Sequence, residues 1–239
     1  MMKKTAIIIF LLLTASFCAA CEKTALSTEP ASIYDDGNLN ESEESDILEN
    51  EPVVQMVEIG KFEETMNQSA GNAAPNIDLN DCDTFTQIID KKLENGMGWT
   101  NVDFGDTNVL MVCSGTYDNL DGNMAGIDAA VYVYQDGMPA ELGKVCSGGT
   151  AYPLAKKDVY LYTASNHWIC KNIVTEDGIQ ITEGVMIEYD SNGKETYYYA
   201  SQEMEASHEI SSTEIEELMN HLYEEMENAE VIHFDTIQK

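Results

Sequence analysis

Between residues 98 and 200 the chain is cut into short apolar runs by turn dipeptides, and this punctuation restricts its fold more than any other feature. Runs rich in Val, Ile and Tyr recur near 109–113, 129–134, 142–146, 159–163, 168–174, 179–189 and 196–199. Asp136-Gly137, Asp177-Gly178 and Asn192-Gly193 separate several of them. Such pairs supply the positive φ angles that tight hairpins need. Short connections suit antiparallel neighbours, because parallel strands need a long crossover. The expected architecture is α+β: an antiparallel β-meander sheet with one helix before it and one amphipathic helix near the C-terminus.

Both helices are legible. In "DCDTFTQIIDKKLENG", Asp81 or Asp83 can cap the start. Phe85, Ile88, Ile89 and Lys92 (or Leu93) share a face, and Gly96 ends the helix. In "SSTEIEELMNHLYEEMENAE", Ser211 and Glu214 have capping-box spacing. Ile215, Leu218, Met219, Leu222 and Met226 form one stripe opposite a glutamate-rich face, as in a helix packed on a sheet. "VIHFD" reads as a last strand. Residues 53–59 read as a strand and 64–80 as linker, so the globular domain is expected to span 81–239.

The N-terminus, "MMKKTAIIIFLLLTASFCAAC", has two lysines, an apolar run and a small-residue junction. This is a secretory signal over 1–20. Ala19, Ala20 and Cys21 resemble the lipobox of bacterial lipoproteins, with Cys18 where an aliphatic residue is usual. The resemblance implies a lipidated Cys21 on the outer face of the cytoplasmic membrane. Residues 22–52 are acidic and lack apolar periodicity, so 21–80 is expected to be a mostly disordered tether.

Formal net charge is -31, and every basic residue that counts toward it is lysine. Such a chain repels phosphate and lacks the guanidinium fork, which excludes nucleic acid as a partner. No CxxC occurs, so the cysteines fit no zinc pattern. Cys113, Cys146 and Cys170 fall in apolar runs and read as buried. Export permits disulfides, and Cys146 with Cys170 is the pair best placed for one.

"VCSGTY" (112–117) and "VCSGGTAY" (145–152) repeat where apolar runs break off. They read as two sheet corners, the second closed to further pairing by Pro153. The candidate ligand site joins Thr116, Tyr117, Ser147, Gly148, Gly149, Thr150 and Tyr152 with Asn166, His167 and Trp168 of "NHW". There the glycines admit a ligand to the backbone, and Tyr152 and Trp168 stack on it. The competing reading makes these glycines turn residues and these aromatics core. No catalytic group is assigned, since no G-x-S-x-G elbow occurs. No metal or other cofactor is assigned either. "NLDGN" alternates Asn119, Asp121 and Asn123, but Met124 and Ala130 stand where a calcium loop needs glycine and glutamate.

"FTQIIDKKLENGMGWTNVDF", "SGGTAYP", "NHW" and the closing "EVIHFDTI" resemble an uncharacterised family of exported proteins and lipoproteins of Gram-positive anaerobes. The likeness spans roughly 81–237 and implies no particular site residues. "TNVDFGDTNVLMV" also resembles a degenerate FG-GAP-type repeat. The expected function is that of a membrane-anchored extracytoplasmic lipoprotein, a non-enzymatic domain that binds or presents an envelope glycan or peptide. Two alternatives stay open: an envelope hydrolase, and a structural envelope protein without ligand.

Overall fold

The computed structural model describes residues 52–70, 74–204 and 208–239. Cys21, the signal segment and the tether up to residue 51 lie outside the described residues. In chain order the elements are β1 (Val53–Met56), α1 (Ile59–Ala70), α2 (Phe85–Lys92), β2 (Gly98–Phe104), β3 (Thr107–Cys113), β4 (Tyr117–Asp118) and β5 (Met124–Ala125). Then follow β6 (Asp128–Gln135), β7 (Met138–Cys146), β8 (Ala155–Lys157), β9 (Tyr160–Ala164), β10 (Trp168–Thr175), β11 (Gly178–Tyr189) and β12 (Glu195–Ser201). Last come α3 (Ser212–Glu227), β13 (Glu230–Val231) and β14 (Asp235–Thr236).

The class is α+β, mostly sheet with three helices among the described residues. The expected single antiparallel sheet gives way to two larger sheets and the two-stranded β4–β5 pair. One has five strands in the order β14-β2-β3-β6-β7; the other has seven, β1-β12-β11-β10-β9-β8-β13. The larger sheet is mixed, because β1 runs parallel to β12 from Val53↔Thr196 to Met56↔Tyr199. Asp136 and Gly137 both take positive φ, 50° and 81°, in the β6–β7 turn, as a two-residue hairpin requires.

Two sheets form because the central strands are apolar on both faces and need two covers. Leu110, Val112 and Tyr132 pack on Phe85, Ile88 and Leu93 at α2. Their neighbours Val109, Met111 and Val131 point the other way, onto Leu154, Leu161 and Val174. A helix can cover one side of β3 and β6, and only the second sheet covers the other. The outer face of the seven-stranded sheet packs Tyr162, Ile169, Val185, Tyr197 and Tyr199 against Ile215, Leu222 and Met226 of α3.

The part of the inner face beyond the smaller sheet is covered by α1. Phe62, 1% exposed, clusters with Trp168, Cys170, Ile181 and Met186. A Cβ on Gly184 would lie 2.7 Å from its ring, so glycine makes the slot. The folded body therefore includes β1 and α1 and does not start at Asp81. The 64–80 linker is corrected too, since α1 runs through residue 70. Ile59, Phe62 and Met66 stand at the i, i+3, i+7 spacing of a helix face, but the segment is divided between the expected strand and the expected linker.

Local signals held more closely at the other helices. Ser211 and Glu214 form the full capping box of α3. The cap of α2 is Thr84, which accepts from Gln87 N, rather than Asp81 or Asp83. Asp81 instead takes a φ of 64°, and Tyr134 Oη accepts from Phe85 N at 3.0 Å. The "VIHFD" strand is split. β13 pairs with β8 in one sheet and β14 with β2 in the other, while Ile232 and Phe234 enter the core between them. Cys82, Cys113 and Cys170 are free thiols, so the Cys146–Cys170 disulfide does not form. Among the described residues no helix is long and apolar enough to cross a membrane.

Leu222 is 1% exposed beneath α3, whereas Glu217 is exposed on the same helix. Leu222→Ala is expected to cost about 2–5 kcal/mol, while Glu217→Lys stays nearly silent, both read from denaturant unfolding. An ion pair ties the same helix to β10: Lys171 Nζ lies 2.7 Å from Glu225 Oε2, which also accepts from Tyr162 Oη at 3.2 Å. Burial works to raise the Glu225 carboxyl, but Lys171 and Tyr162 outweigh it and hold it below its ordinary value. A depressed folded value stabilises above the unfolded carboxyl range and is lost as pH falls through the folded value. The stability gap between wild type and Lys171→Met is thus expected at neutral pH and should shrink below about pH 4.

Candidate functional site

The two repeated corners meet at one place. β3 and β7 flank β6 and run antiparallel to it, so both end where β6 begins. At the first corner, Ser114 N donates to Asp128 Oδ1 at 2.8 Å and Ser114 Oγ donates to Asp128 Oδ2. At the second, Ser147 N donates to Ile127 O at 2.7 Å. Asp128 is 2% exposed, and Ser114 satisfies both of its oxygens. Cys113 lies fully buried beside it, its thiol pushed up to about 12 by burial and then by the Asp128 charge. Such a thiol stays protonated and unreactive at neutral pH.

The second corner does more than turn. Residues 147–154 carry the chain out of the five-stranded sheet and into β8 of the other. Here "SGG" meets Ala164 and Ser165, the residues just before "NHW". Gly148 N donates to Ala164 O at 2.8 Å, and Ser147 Oγ accepts from Ala164 N at 3.1 Å. A Cβ on Gly148 would stand 2.4 Å from Ser165 Cβ. The close approach that this glycine serves is to the 165–168 turn and not to a ligand. That turn is tied by Ser165 N to Trp168 O and by His167 N to Ser165 Oγ.

Beside the turn lies an open cleft of about 530 Å³, lined by Gly148, Ser165, Asn166, His167, Trp168, Met186, Ile187, Glu188 and Tyr189. It is a notch at the end of β10. Ile187 N donates to His167 O at 2.8 Å, the last bond on that side. β11 continues for two more residues, paired with β12 alone. Backbone direction alternates along an antiparallel strand, so Tyr189 turns its N–H and C=O to the side of Ile187, into the notch. The His167 ring meets Tyr189 edge-on at 5.7 Å, and Asn166 Nδ2 lies 3.1 Å from His167 Nε2.

The other expected site residues lie elsewhere. Tyr117 Oη donates to Thr150 O at 3.0 Å, which closes the β4–β5 hairpin against the second corner. Thr116 Oγ1 lies 2.7 Å from Thr236 Oγ1, and Gly149 O accepts from Tyr152 N in the 149–152 turn. Tyr152 packs on the α3 side, its ring 6.0 Å from Tyr223. Trp168 is 3% exposed and packs on the α1 side. The two aromatics are on opposite faces of one sheet and do not form a stacking pair. Glu188 and Tyr189 escaped sequence reasoning, and the nearby Asn192-Gly193 turn was the only local hint that the strand ended there.

The acidic hairpin loop is satisfied internally. Asp121 accepts from Asn119 Nδ2 and Asn123 N and lies 3.2 Å from His233 Nε2. The Asn119 and Asn123 hydrogen bonds, then His233, hold its carboxyl below the ordinary range. Among the described residues no group of three or more His, Cys, Asp or Glu stands together to hold a metal ion. Ser147 Oγ faces the Ala164 amide and the His167 ring faces Asn166 and Tyr189, so they do not form a nucleophile–base pair.

Compared with known proteins, the chain matches no family model, no curated protein and no solved structure. The site therefore rests on its own geometry. The contact between Gly148 and Ser165 is directly testable. Gly148→Ala is expected to cost about 1–3 kcal/mol by overpacking against Ser165, read from denaturant midpoints. Ser165→Gly in the same chain should recover part of that loss.

Proposed function

We propose that this chain is a membrane-anchored, extracytoplasmic lipoprotein whose domain binds a glycan of the cell envelope and catalyses no reaction on it. The observation that carries the reading is the notch at the end of β10, where Tyr189 is 52% exposed beside His167, Asn166 and Glu188. An aromatic face, an amide, an imidazole and a carboxylate around a shallow opening suit a ring bearing several hydroxyls. An extended peptide needs a run of free strand edge, and only Tyr189 offers its backbone here. The glycan is thus favoured over the peptide. A hydrolase needs a nucleophile within reach of a base, and Ser147 and His167 have other partners.

The signal segment, the Ala-Ala-Cys junction and the acidic tether support anchoring through Cys21. A diacylated cysteine holds a protein to a membrane stably, where one chain does so marginally. Cys21→Ala is expected to release the protein to the medium. Mass spectrometry of the wild-type mature N-terminus checks the same point, and an unmodified Cys21 removes the anchor from the reading.

Binding is tested by calorimetric titration of the full-length chain with soluble envelope glycan fragments. Tyr189→Ala and His167→Ala are each expected to weaken binding about tenfold, the equivalent of ~1.4 kcal/mol. Unchanged affinity in both variants would remove the notch as the site.

A further inference from the structure

We infer that the notch selects sugars carrying a free, protonated amino group over N-acetylated or acidic sugars. The inference rests on the glycan reading above and names the class of sugar. Among the described residues Glu188 is the one carboxylate in the lining, and no lysine lines the notch. The following hairpin does hold a lysine, Lys194, but its charge sits by Asp190 and its backbone N–H donates to Asp190 Oδ1 at 2.9 Å. An anionic sugar therefore meets Glu188 without a cationic partner.

The strand itself sets the geometry. Successive side chains leave a strand on opposite faces, so Glu188 and Tyr189 flank the free edge of β11 from its two sides. A ring seated at that edge has a carboxylate on one side and an aromatic face on the other. Both favour an ammonium group, the first by charge and the second through the ring quadrupole. The Tyr198 hydroxyl lies near Glu188; burial raises it first and the carboxylate raises it further, so it stays protonated. The wider field agrees, since a chain with net charge -31 and no arginine draws cations toward its surface and repels anions.

A general attraction for polycations has to be separated from selection at the notch. Calorimetry compares tetramers of glucosamine, N-acetylglucosamine and glucose on the full-length chain and on two variants. Glu188→Gln removes the notch carboxylate, and Glu217→Gln removes an exposed charge on α3. The wild-type chain is expected to bind the glucosamine tetramer at least about tenfold tighter than the N-acetylated one. Glu188→Gln should erase that preference and Glu217→Gln should keep it, with circular dichroism showing both variants folded. Equal binding of the amino and N-acetylated tetramers overturns the amine selection and leaves glycan binding standing. Equal losses in the two variants assign the effect to overall charge and overturn the inference as well. Failure of all three tetramers to bind removes the glycan reading itself.

Discussion

The layer between the two sheets is the contact on which the remaining structure depends. Two of the chain's passages between the sheets, through 147–154 and through 230–236, cross it. On the second crossing Ile232 and Phe234 point inward together, Ile232 N donating to Leu154 O and Phe234 N to Met124 O. Burying apolar surface is worth about 25 cal/mol per Å², and this layer draws residues from both sheets. Once it forms, β6 starts at a fixed place, the two repeated corners come to lie on either side of it, and Gly148 is brought against Ser165. The notch beside His167 follows, because β10 starts at the 165–168 turn, short of the point where the antiparallel β11 finishes.

A second constraint is the shortage of cationic partners. The chain has 43 acidic and 12 basic residues, and none of the latter is arginine. Around the seven-stranded sheet, tyrosine hydroxyls supply many of the donors that carboxylates need. Tyr199 Oη donates to Glu183 at 2.7 Å, Tyr162 Oη to Glu225 and Tyr197 Oη to Glu216. Burial and then the neighbouring Glu195 and Glu216 charges push Tyr197 up to about 12, so it remains a donor. A neutral donor costs less to desolvate than an ammonium. The ring beneath each hydroxyl also packs in the core under α3, so a single residue type serves both needs.

The repeated "VCSG" phrase has a structural explanation. Both copies end strands that flank β6, and each serine answers a group at the start of that strand, Asp128 in one case and Ile127 O in the other. The cysteines beside them do not act alike. Cys113 is fully buried near Gly98, Gly126 and Phe234, whereas Cys146 is only partly covered. Equivalent sequence thus marks equivalent positions in the sheet, and the chain leaves them by different routes. The first returns to the same sheet through the β4–β5 hairpin, and the second changes sheets.

What the sequence determined by itself was local. Short-range rules govern the strands between 107 and 201, the Asp136-Gly137 turn, the capping box at Ser211 and the stripe from Ile215 to Met226, because each depends on residues within a few positions. The tertiary structure alone decided how many sheets form, since alternation says that β3 is buried on both faces without saying what covers each. It also decided that Val53 and Phe62 belong to the folded body, that Trp168 and Tyr152 face opposite ways, and that Glu188 and Tyr189 border the notch. These outcomes depend on contacts between residues far apart in the chain, such as Phe62 in the slot at Gly184. No window of local sequence contains both partners.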